Sequence, residues 1–266
     1  MEPIRIGIIG GTGVYQLPGV EHLERVEVET EYGTVPVNTG TLGGKRIAFL
    51  TRHGEHHSIS PAQINYRANI MALKQLGVKQ VYATACSGSI NPAYPTGSFV
   101  LIEQFLDFTK SRPASFYYND GSQDKPIAHI DLTNPYCSRL GAIMKEAGRA
   151  LEMDVKEGAT YVCMEGPRFE SAAEIKMMRV IGGDLVAHTQ YPEVALAREA
   201  EMCYAAVGIV SNMAAGIEDE HVSALDVKTN MAKLFGDVQQ LLAKAVELTP
   251  EQDGCWCQEA LSLSFV

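Results

Sequence analysis

The sequence lacks long apolar runs and an excess of basic residues, and each absence excludes a class of protein. No stretch approaches the roughly 18 consecutive apolar residues of a membrane span, and the apolar run near the N-terminus is too short for a signal peptide. Lys and Arg together number 22 against 32 Asp and Glu, a net charge of −10. This charge disfavours nucleic acid and anionic membranes as partners. We therefore expect a cytoplasmic protein that acts on a small molecule.

Cysteine is also too sparse for a disulfide scaffold, because the chain has only six cysteines among its 266 residues. Four of them lie in apolar segments, where we expect buried free thiols. These four are Cys86, Cys137, Cys163 and Cys203. The other two, Cys255 and Cys257, belong to residues 251–266, which we interpret as a C-terminal tail. A tail docked on the domain is the simpler interpretation, and a redox or metal-binding role for the two cysteines is the alternative.

What the sequence contains is an alternation of short apolar runs with longer amphipathic stretches, typical of an α/β fold whose sheet is covered by helices. Hydrophobic residues make up 46% of the chain, enough for a sizeable core, and the length suits a single domain, 1–250, followed by the tail. The predicted strands cover residues 4–9, 46–51, 81–85, 98–102, 160–164, 184–187 and 205–211. The predicted helices cover residues 61–76, 138–151, 171–181, 192–201 and 223–247.

A glycine-rich turn follows the first predicted strand. In the segment 10–13, GGTG, the missing side chains expose backbone N–H groups and Thr12 adds a hydroxyl, so the turn can hold an anion. It is not a dinucleotide-binding fingerprint, because Gln16 stands where a third glycine is needed, and it lacks the lysine of a P-loop. Taken alone, a glycine-rich turn after a strand is more often merely a tight turn.

A second cluster, TRHGEHH at 51–57, follows the next predicted strand. Arg52 offers planar donors suited to phosphate, and His53 can add another donor, charged or neutral. The three histidines of this cluster, His53, His56 and His57, also suggest a metal site. We expect none, because adjacent histidines do not converge on one ion and no cysteine or carboxylate motif accompanies them. A solvated loop is the remaining alternative.

Four further segments of small or polar residues follow predicted strands. They lie at 83–89, 164–170, 187–193 and 211–216. Ligands of α/β sheets gather at the carboxyl ends of strands. We therefore expect all six segments to border one crevice.

The motifs occur in a recognisable order: GIIGGTG, TRHGEHHSISPAQINYRANI, a Gly-Ser-Ile-Asn-Pro turn, EGPRFES, HTQYPEVALARE and SNMAAG. Over residues 4–248 this order resembles the trimeric purine nucleoside phosphorylase and methylthioadenosine phosphorylase family. The resemblance implies a single α/β domain with a mixed central β-sheet flanked by helices. It also implies a homotrimer, or a dimer of trimers, with active sites near the subunit boundaries and no metal or organic cofactor.

The resemblance further implies roles for individual residues. The family's phosphate site corresponds to Thr12, Arg52, His53, the backbone of Cys86 and Thr189. Its base site corresponds to Phe169, Glu170, Asn212 and Ala214. His188 stands where the family usually has a methionine under the ribose, and Ala85 where it has a hydroxyl or amide residue. His188 then binds the sugar or phosphate, or simply packs. In the long polar segment 110–134, His129 resembles a histidine near the sugar that can serve an adjacent subunit.

The implied reaction is phosphorolysis by a pentosyltransferase of purine salvage. Inorganic phosphate, a co-substrate, displaces the purine from the anomeric carbon of the nucleoside. The sugar becomes cationic and the departing purine anionic as the bond breaks, so the site needs donors at the base and an anion beneath the sugar. Asn212 can donate to the five-membered ring of the purine, and Glu170 and His53 complete the expected catalytic set.

Substrate choice depends on the residue at 170. The carboxylate of Glu170 only accepts hydrogen bonds, which suits the ring N–H of a 6-oxopurine. Adenine-specific members resemble a pattern with a hydroxyl residue there and aspartates in place of Asn212 and Ala214. The 5′ end of the sugar falls near Asp226 amid apolar residues, which favours a methylthio group, while His221 leaves inosine and guanosine open.

We therefore expect an S-methyl-5′-thioinosine phosphorylase or a related enzyme of 6-oxopurine nucleosides. One alternative is an S-methyl-5′-thioadenosine phosphorylase that uses Glu170 and Asn212 in another way. The other is a catalytically weakened nucleotide-binding homologue, marked by Ala85 and His188.

Overall fold

A computed structural model of the chain describes residues 3–54, 57–117, 126–219, 221–251 and 254–265, so His56 of the histidine cluster lies outside the described residues. The strands are β1 (Ile6–Gly10), β2 (Glu21–Thr30), β3 (Gly33–Leu42), β4 (Lys45–Thr51), β5 (Gln80–Ser89), β6 (Phe99–Phe108), β7 (Val155–Met164), β8 (Leu185–Ala187) and β9 (Cys203–Met213). The α-helices are α1 (Tyr66–Gln75), α2 (Ser138–Ala150), α3 (Ala172–Val180), α4 (Gln190–Glu199) and α5 (Ala224–Leu248). Within these described ranges, no helix is both long enough and apolar enough to cross a membrane.

The sheet is mixed, as the resemblance implied. Its strand order is β2-β3-β4-β1-β5-β8-β7-β6-β9, and β9 also pairs with β5, which closes five of the strands into a ring. Strand β1 is parallel to both β4 and β5, whereas the β5–β8 and β6–β9 pairs are antiparallel. The parallel strands β1, β4 and β5 bring their carboxyl ends to one edge, where the GGTG turn and Arg52 lie.

Strands β2 and β3 form a hairpin that the sequence analysis did not predict. Most side chains of β2 are exposed and charged residues recur along it, so no apolar run marks it as a strand. Two glycines with positive φ, Gly43 (57°) and Gly44 (76°), form the tight turn between β3 and β4. The missed strands lie at the outer edge of the sheet.

Helices cover both faces of the sheet. Helices α1 and α4 contribute to one core cluster, and α2 and α5 contribute to the other. Strand β5 shows why a buried strand reads as an unbroken apolar run, since Val81 and Ala83 belong to the first cluster and Tyr82 to the second. Helix α1 begins later than predicted, where the side chain of Asn65 accepts a hydrogen bond from the N–H of Ala68 (3.1 Å).

The segment after α5 docks on the domain. The ring of Trp256 lies beneath the guanidinium of Arg198, whose carbon is 3.9 Å from the ring centroid. Near the chain end, the carbonyl of Ser264 accepts from the N–H of His129 (2.7 Å), and Phe265 bridges to Ala128. The docked interpretation of the tail therefore agrees with the structure, and the division at residue 250 stays a prediction.

Candidate active site

A cavity of about 1,100 Å³ opens at the edge of the sheet where the strand ends meet. All six segments singled out in the sequence contribute to its lining. Ten predicted site residues are brought together there. They are Thr12, Arg52, His53, Cys86, Phe169, Glu170, His188, Thr189, Asn212 and Ala214. His129 is not among the lining residues; it is exposed, on the segment that pairs with the tail.

Close packing explains the glycines of the GGTG turn. A Cβ atom at Gly11 would lie 2.7 Å from the carbonyl oxygen of Thr84 and 2.9 Å from Nη1 of Arg52. The N–H of Gly11 donates to Oγ1 of Thr84 (2.9 Å), so it does not face an anion as the sequence analysis expected. The N–H groups of Thr12 and Gly13 donate to no acceptor in the described part of the chain. They form a smaller anion cradle than predicted.

Arg52 is buried at the cavity wall and paired with Glu193, to which the sequence analysis gave no role. Nε and Nη2 of Arg52 donate to the two carboxylate oxygens of Glu193 at 2.6 and 2.7 Å, and Nη1 donates to the carbonyl of Thr84 at 2.9 Å. Burial lowers the pKa of Arg52, but the Glu193 carboxylate outweighs burial and the net pKa is raised. Arg52 therefore stays charged. Two of its five N–H groups are not taken by these acceptors, and Arg52 borders the cavity.

His53 is neutral and oriented. Burial lowers its pKa to about 4, and the positive charge of Arg52 acts in the same direction. Its Nδ1 lies 2.9 Å from the carbonyl oxygen of Ile59, which can only accept, so the ring hydrogen is on Nδ1. Nε2 then presents a lone pair. His53 can accept the hydroxyl hydrogen of a hydrogen phosphate ion, which corrects the expectation that it acts as a donor.

Cys86 lies near the end of β5 and borders the cavity. Its Sγ donates to the hydroxyl of Ser211 (3.3 Å). Burial raises the pKa of the thiol to about 11, so it is protonated near neutral pH. Cys86 is thus a neutral lining residue and not a nucleophile.

Glu170 and His188 both line the cavity and form a hydrogen-bonded pair. Nε2 of His188 lies 3.2 Å from Oε1 of Glu170, and only 7% of the Glu170 side chain is exposed. Since an ionised carboxylate only accepts, His188 donates. Gly166, at φ 67°, permits this arrangement, because a Cβ atom there would lie 2.9 Å from the ring of His188. One oxygen of Glu170 is therefore taken by His188, and the other is left for a ligand. This geometry contradicts simple packing of His188.

Asn212 is oriented by its neighbours. The hydroxyl of Ser211 donates to Oδ1 of Asn212 (2.7 Å), and Nδ2 donates to the carbonyl of Met213 (2.8 Å). One hydrogen of Nδ2 remains outside these bonds. Asn212 borders the cavity with this hydrogen unpaired by the bonds above, and its role at the purine stays a prediction.

Phe169 precedes Glu170 on the same loop and is 42% exposed although it borders the cavity. The loop leads into α3, where Ser171 and Glu174 form a reciprocal capping box. An exposed aromatic face at a cavity wall suits a flat ring system, which would cover it.

Comparison with known proteins agrees with this geometry. The model of the phosphorylase superfamily matches residues 5–247. The chain belongs to the phosphorylase superfamily. The 6-oxopurine nucleoside phosphorylase of Pyrococcus furiosus is 46% identical over 259 residues, which cover 97% of this phosphorylase and 97% of the relative.

Other relatives carry other substrates in their names. The probable S-methyl-5′-thioinosine phosphorylase of Methanopyrus kandleri is 44% identical over 96% of this phosphorylase and 97% of the relative. The S-methyl-5′-thioadenosine phosphorylase of Nitrosopumilus maritimus is 40% identical over 98% and 97%. A solved structure of methylthioadenosine phosphorylase from Schistosoma mansoni in complex with adenine has a TM-score of 0.90 at 32% identity, covering 97% and 96% of the two chains. The predicted fold is confirmed. The names of these relatives include both 6-oxopurine and adenine-type substrates, so similarity alone does not identify the purine base.

The first turns of α5, with Val222 two residues before the helix, line the cavity mostly with apolar side chains. The apolar lining residues are Val222, Ala224, Val227, Met231, Ala232 and Phe235, and Lys228 borders the cavity among them. Asp226, near which the resemblance places the 5′ end of the sugar, is exposed and does not line the cavity, and neither does His221. This part of the site therefore suits an apolar substituent.

Arg112 is a positioning residue that the sequence analysis missed. It lies in the long segment 110–134 and is largely buried. Nη1 donates to the carbonyl of His188 (2.5 Å), and Nη2 donates to the carbonyl of Glu165 (2.8 Å). Arg112 thus holds together the two loops that carry Glu170 and His188. The only signal in the sequence was an arginine in a segment too long for a simple loop.

The neutral state of His53 makes stability depend on pH. The unfolded chain's histidine titrates near 6.5, whereas the pKa of folded His53 is about 4. Between these values the unfolded chain binds a proton that the folded chain does not. We expect the free energy of unfolding to fall by up to about 3 kcal/mol as pH decreases through this window.

Denaturant titrations at several pH values measure this effect. His53→Gln has no such group, so its stability should decrease less than that of the wild type over the same window. Equal slopes in the two proteins would show that other groups cause the acid sensitivity.

Proposed function

We propose that this phosphorylase cleaves a 6-oxopurine nucleoside with inorganic phosphate, most effectively S-methyl-5′-thioinosine, and that it also accepts inosine or guanosine. The products are the free purine and 5-methylthioribose 1-phosphate, or ribose 1-phosphate. One observation carries the proposal. The Glu170 carboxylate, with an oxygen left by His188, borders the same cavity as Arg52 and the free N–H groups of the GGTG turn.

The anion side supplies the nucleophile. Phosphate bound by Thr12, Gly13 and Arg52 attacks the anomeric carbon, and the bond from that carbon to the purine nitrogen breaks with its electron pair leaving on the purine. The sugar carries positive charge in the transition state, and the phosphate beneath it stabilises that charge. His53 accepts the hydroxyl hydrogen of the phosphate and so fixes which oxygen faces the sugar.

The base side stabilises the leaving group. The free N–H of Asn212 donates to the five-membered ring of the purine, where negative charge accumulates as the bond breaks. Phe169 covers one face of the ring. Glu170 accepts the ring N–H of a 6-oxopurine, which an aminopurine lacks. The adenine ring nitrogen at that place carries a lone pair and would face the carboxylate unpaired.

The 5′ substituent is chosen by the apolar wall of α5. Val222, Val227 and Phe235 offer no hydrogen bond to a 5′-hydroxyl, whereas a methylthio group buries apolar area against them, and the exposed Lys228 is the one charged residue on this stretch of the lining. This wall favours methylthioinosine over inosine. Because His221 does not line the cavity, it supplies no 5′ contact within one chain.

Phosphorolysis of four nucleosides tests the function directly. With phosphate present, we expect the highest kcat/KM for methylthioinosine, lower values for inosine and guanosine, and the lowest for methylthioadenosine. Without phosphate, base release should stop. A preference for methylthioadenosine would favour the adenine-type alternative, for which the Nitrosopumilus maritimus and Schistosoma mansoni proteins are precedents. No phosphate-dependent release from any nucleoside would favour a nucleotide-binding protein.

We also propose a cytoplasmic homotrimer, or dimer of trimers, whose catalysis uses no metal or organic cofactor. Support comes from His129, which is exposed and does not line the cavity of its own chain, so the role near the sugar that the resemblance implies would have to be played at the cavity of another subunit. Sedimentation of the purified protein tests the assembly. A monomer that retains full activity would exclude a role for His129 across a subunit boundary.

A further inference from the structure

Four cysteine sulfurs converge outside the active site. Sγ atoms of Cys137, Cys203, Cys255 and Cys257 all lie within 4.8 Å of one another. Cys137 precedes α2, Cys203 begins β9, and the other two come from the tail. Three of the four are buried, Cys255 is half-buried, and all are free thiols. The tail pair thus meets two cysteines that the sequence analysis treated as unrelated core residues.

The spacing matches one metal ion. Zn²⁺ bound by four thiolates is tetrahedral, with Zn–S distances of about 2.3 Å, so its sulfurs lie about 3.8 Å apart. Here Sγ of Cys255 is 3.7 Å from that of Cys137 and 3.4 Å from that of Cys257. Four soft sulfur ligands within 4.8 Å of one another are typical of zinc among the common protein metals.

The charge nearby supports anionic sulfurs. A zinc ion with four thiolates has a net charge of about −2 and needs compensation in a buried setting. Nη2 of Arg139 donates to Sγ of Cys203 (3.5 Å) and to Oε1 of Gln80 (2.9 Å). The guanidinium is therefore fixed beside the cluster. Such outer contacts orient the ligands of metal sites.

We propose that Cys137, Cys203, Cys255 and Cys257 bind a structural zinc ion that fastens the tail to the domain. All four coordination positions are filled by protein, so the ion has no place for a substrate. This proposal departs from the expectation of no metal, and it leaves the phosphorolysis mechanism without one.

Zinc binding at the cluster would also affect the segment that carries His129, because the tail contacts it. From the cluster the tail runs to Ser264, which accepts from the N–H of His129 (2.7 Å), and to Phe265, whose ring lies edge-on to Tyr117 (5.2 Å between centroids). Loss of the ion should free the tail, and with it this segment. Hydrogen exchange is expected to increase at both places together.

Metal analysis of the full chain tests the proposal. The protein is produced with zinc in the medium and purified under reductant. We expect one zinc ion per chain in the wild type and loss of most of it in Cys257→Ser. Cys163→Ala, which removes a buried free cysteine outside the cluster, should keep its zinc. Cobalt(II) added to metal-free protein should give the thiolate charge-transfer and ligand-field bands of a tetrahedral site in the wild type alone.

Two results would overturn the proposal. The first is reduced wild-type protein that binds neither zinc nor cobalt while all six cysteines react as free thiols after denaturation. The second is a disulfide among the four cysteines in protein kept under reductant throughout. If Cys257→Ser fails to fold, the cobalt spectrum and thiol count of the wild type decide the question.

Discussion

Glu170→Gln is expected to lower kcat/KM for methylthioinosine or inosine by about 10²-fold or more. The reason lies in the neighbour of Glu170. Since Nε2 of His188 donates to Oε1 at 3.2 Å, the amide oxygen of a glutamine will take that place. The amide NH₂ then points to the ligand, where it faces the ring N–H of a 6-oxopurine. Two donors meet, and the buried pair stays unsatisfied.

The same change should favour the opposite base. The ring nitrogen of an aminopurine is an acceptor and fits the NH₂ group, so activity toward methylthioadenosine should fall much less or rise. Initial rates with both nucleosides give the ratio of the two kcat/KM values. Glu218→Gln, at an exposed position outside the lining, makes the same chemical change and should leave the ratio unaltered.

A double variant separates orientation from charge. Adding His188→Met removes the donor that fixes the amide, so the glutamine can turn its oxygen toward the ring N–H. Part of the 6-oxopurine activity should return. If the single variant keeps its selectivity, Glu170 does not read the base. If the double variant recovers nothing, the lost charge alone explains the defect.

The strand ends of the site were predictable because each follows an apolar run and consists of small or polar residues. Thr12 and Asn212 lie in such segments, and the parallel strands bring them to one cavity. The same reasoning failed for β2, whose recurring charged residues produce no apolar run. A strand at the edge of a sheet, exposed along most of its length, leaves little local signal.

Interactions between distant residues could not be predicted from local patterns. The sequence indicated exposed N–H groups in the GGTG turn, but Thr84 takes the N–H of Gly11 from 73 positions away. Cys137 and Cys203 were expected to be buried thiols, which is correct, yet their meeting with Cys257 depends on how α2, β9 and the tail pack together. Residue type predicts the chemistry available at a position, and only the fold decides its partner.

Glu193→Gln is expected to lower the free energy of unfolding by about 3–5 kcal/mol, since it leaves the charge of Arg52 buried without a counter-charge. Both side chains of this ion pair are fully buried. Three donors converge on the carboxylate, two from Arg52 and one from the hydroxyl of Tyr204 (2.6 Å). A glutamine amide offers these three donors only one oxygen, and its NH₂ group faces the guanidinium of Arg52. Denaturant unfolding at neutral pH measures the loss.

Glu199→Gln is the matched control, because this carboxyl group lies on the same helix, α4, and is also buried. Burial raises the pKa of Glu199, and its side chain accepts from the N–H of Phe116 (2.7 Å), which an amide oxygen can do as well. Its replacement should cost about 1 kcal/mol or less. Phosphate should then stabilise Glu193→Gln more than the wild type, because the bound anion supplies the charge that Arg52 has lost. Equal losses in the two variants would mean that the cost comes from burying an amide, and equal stabilisation by phosphate would mean that Arg52 does not contact the anion.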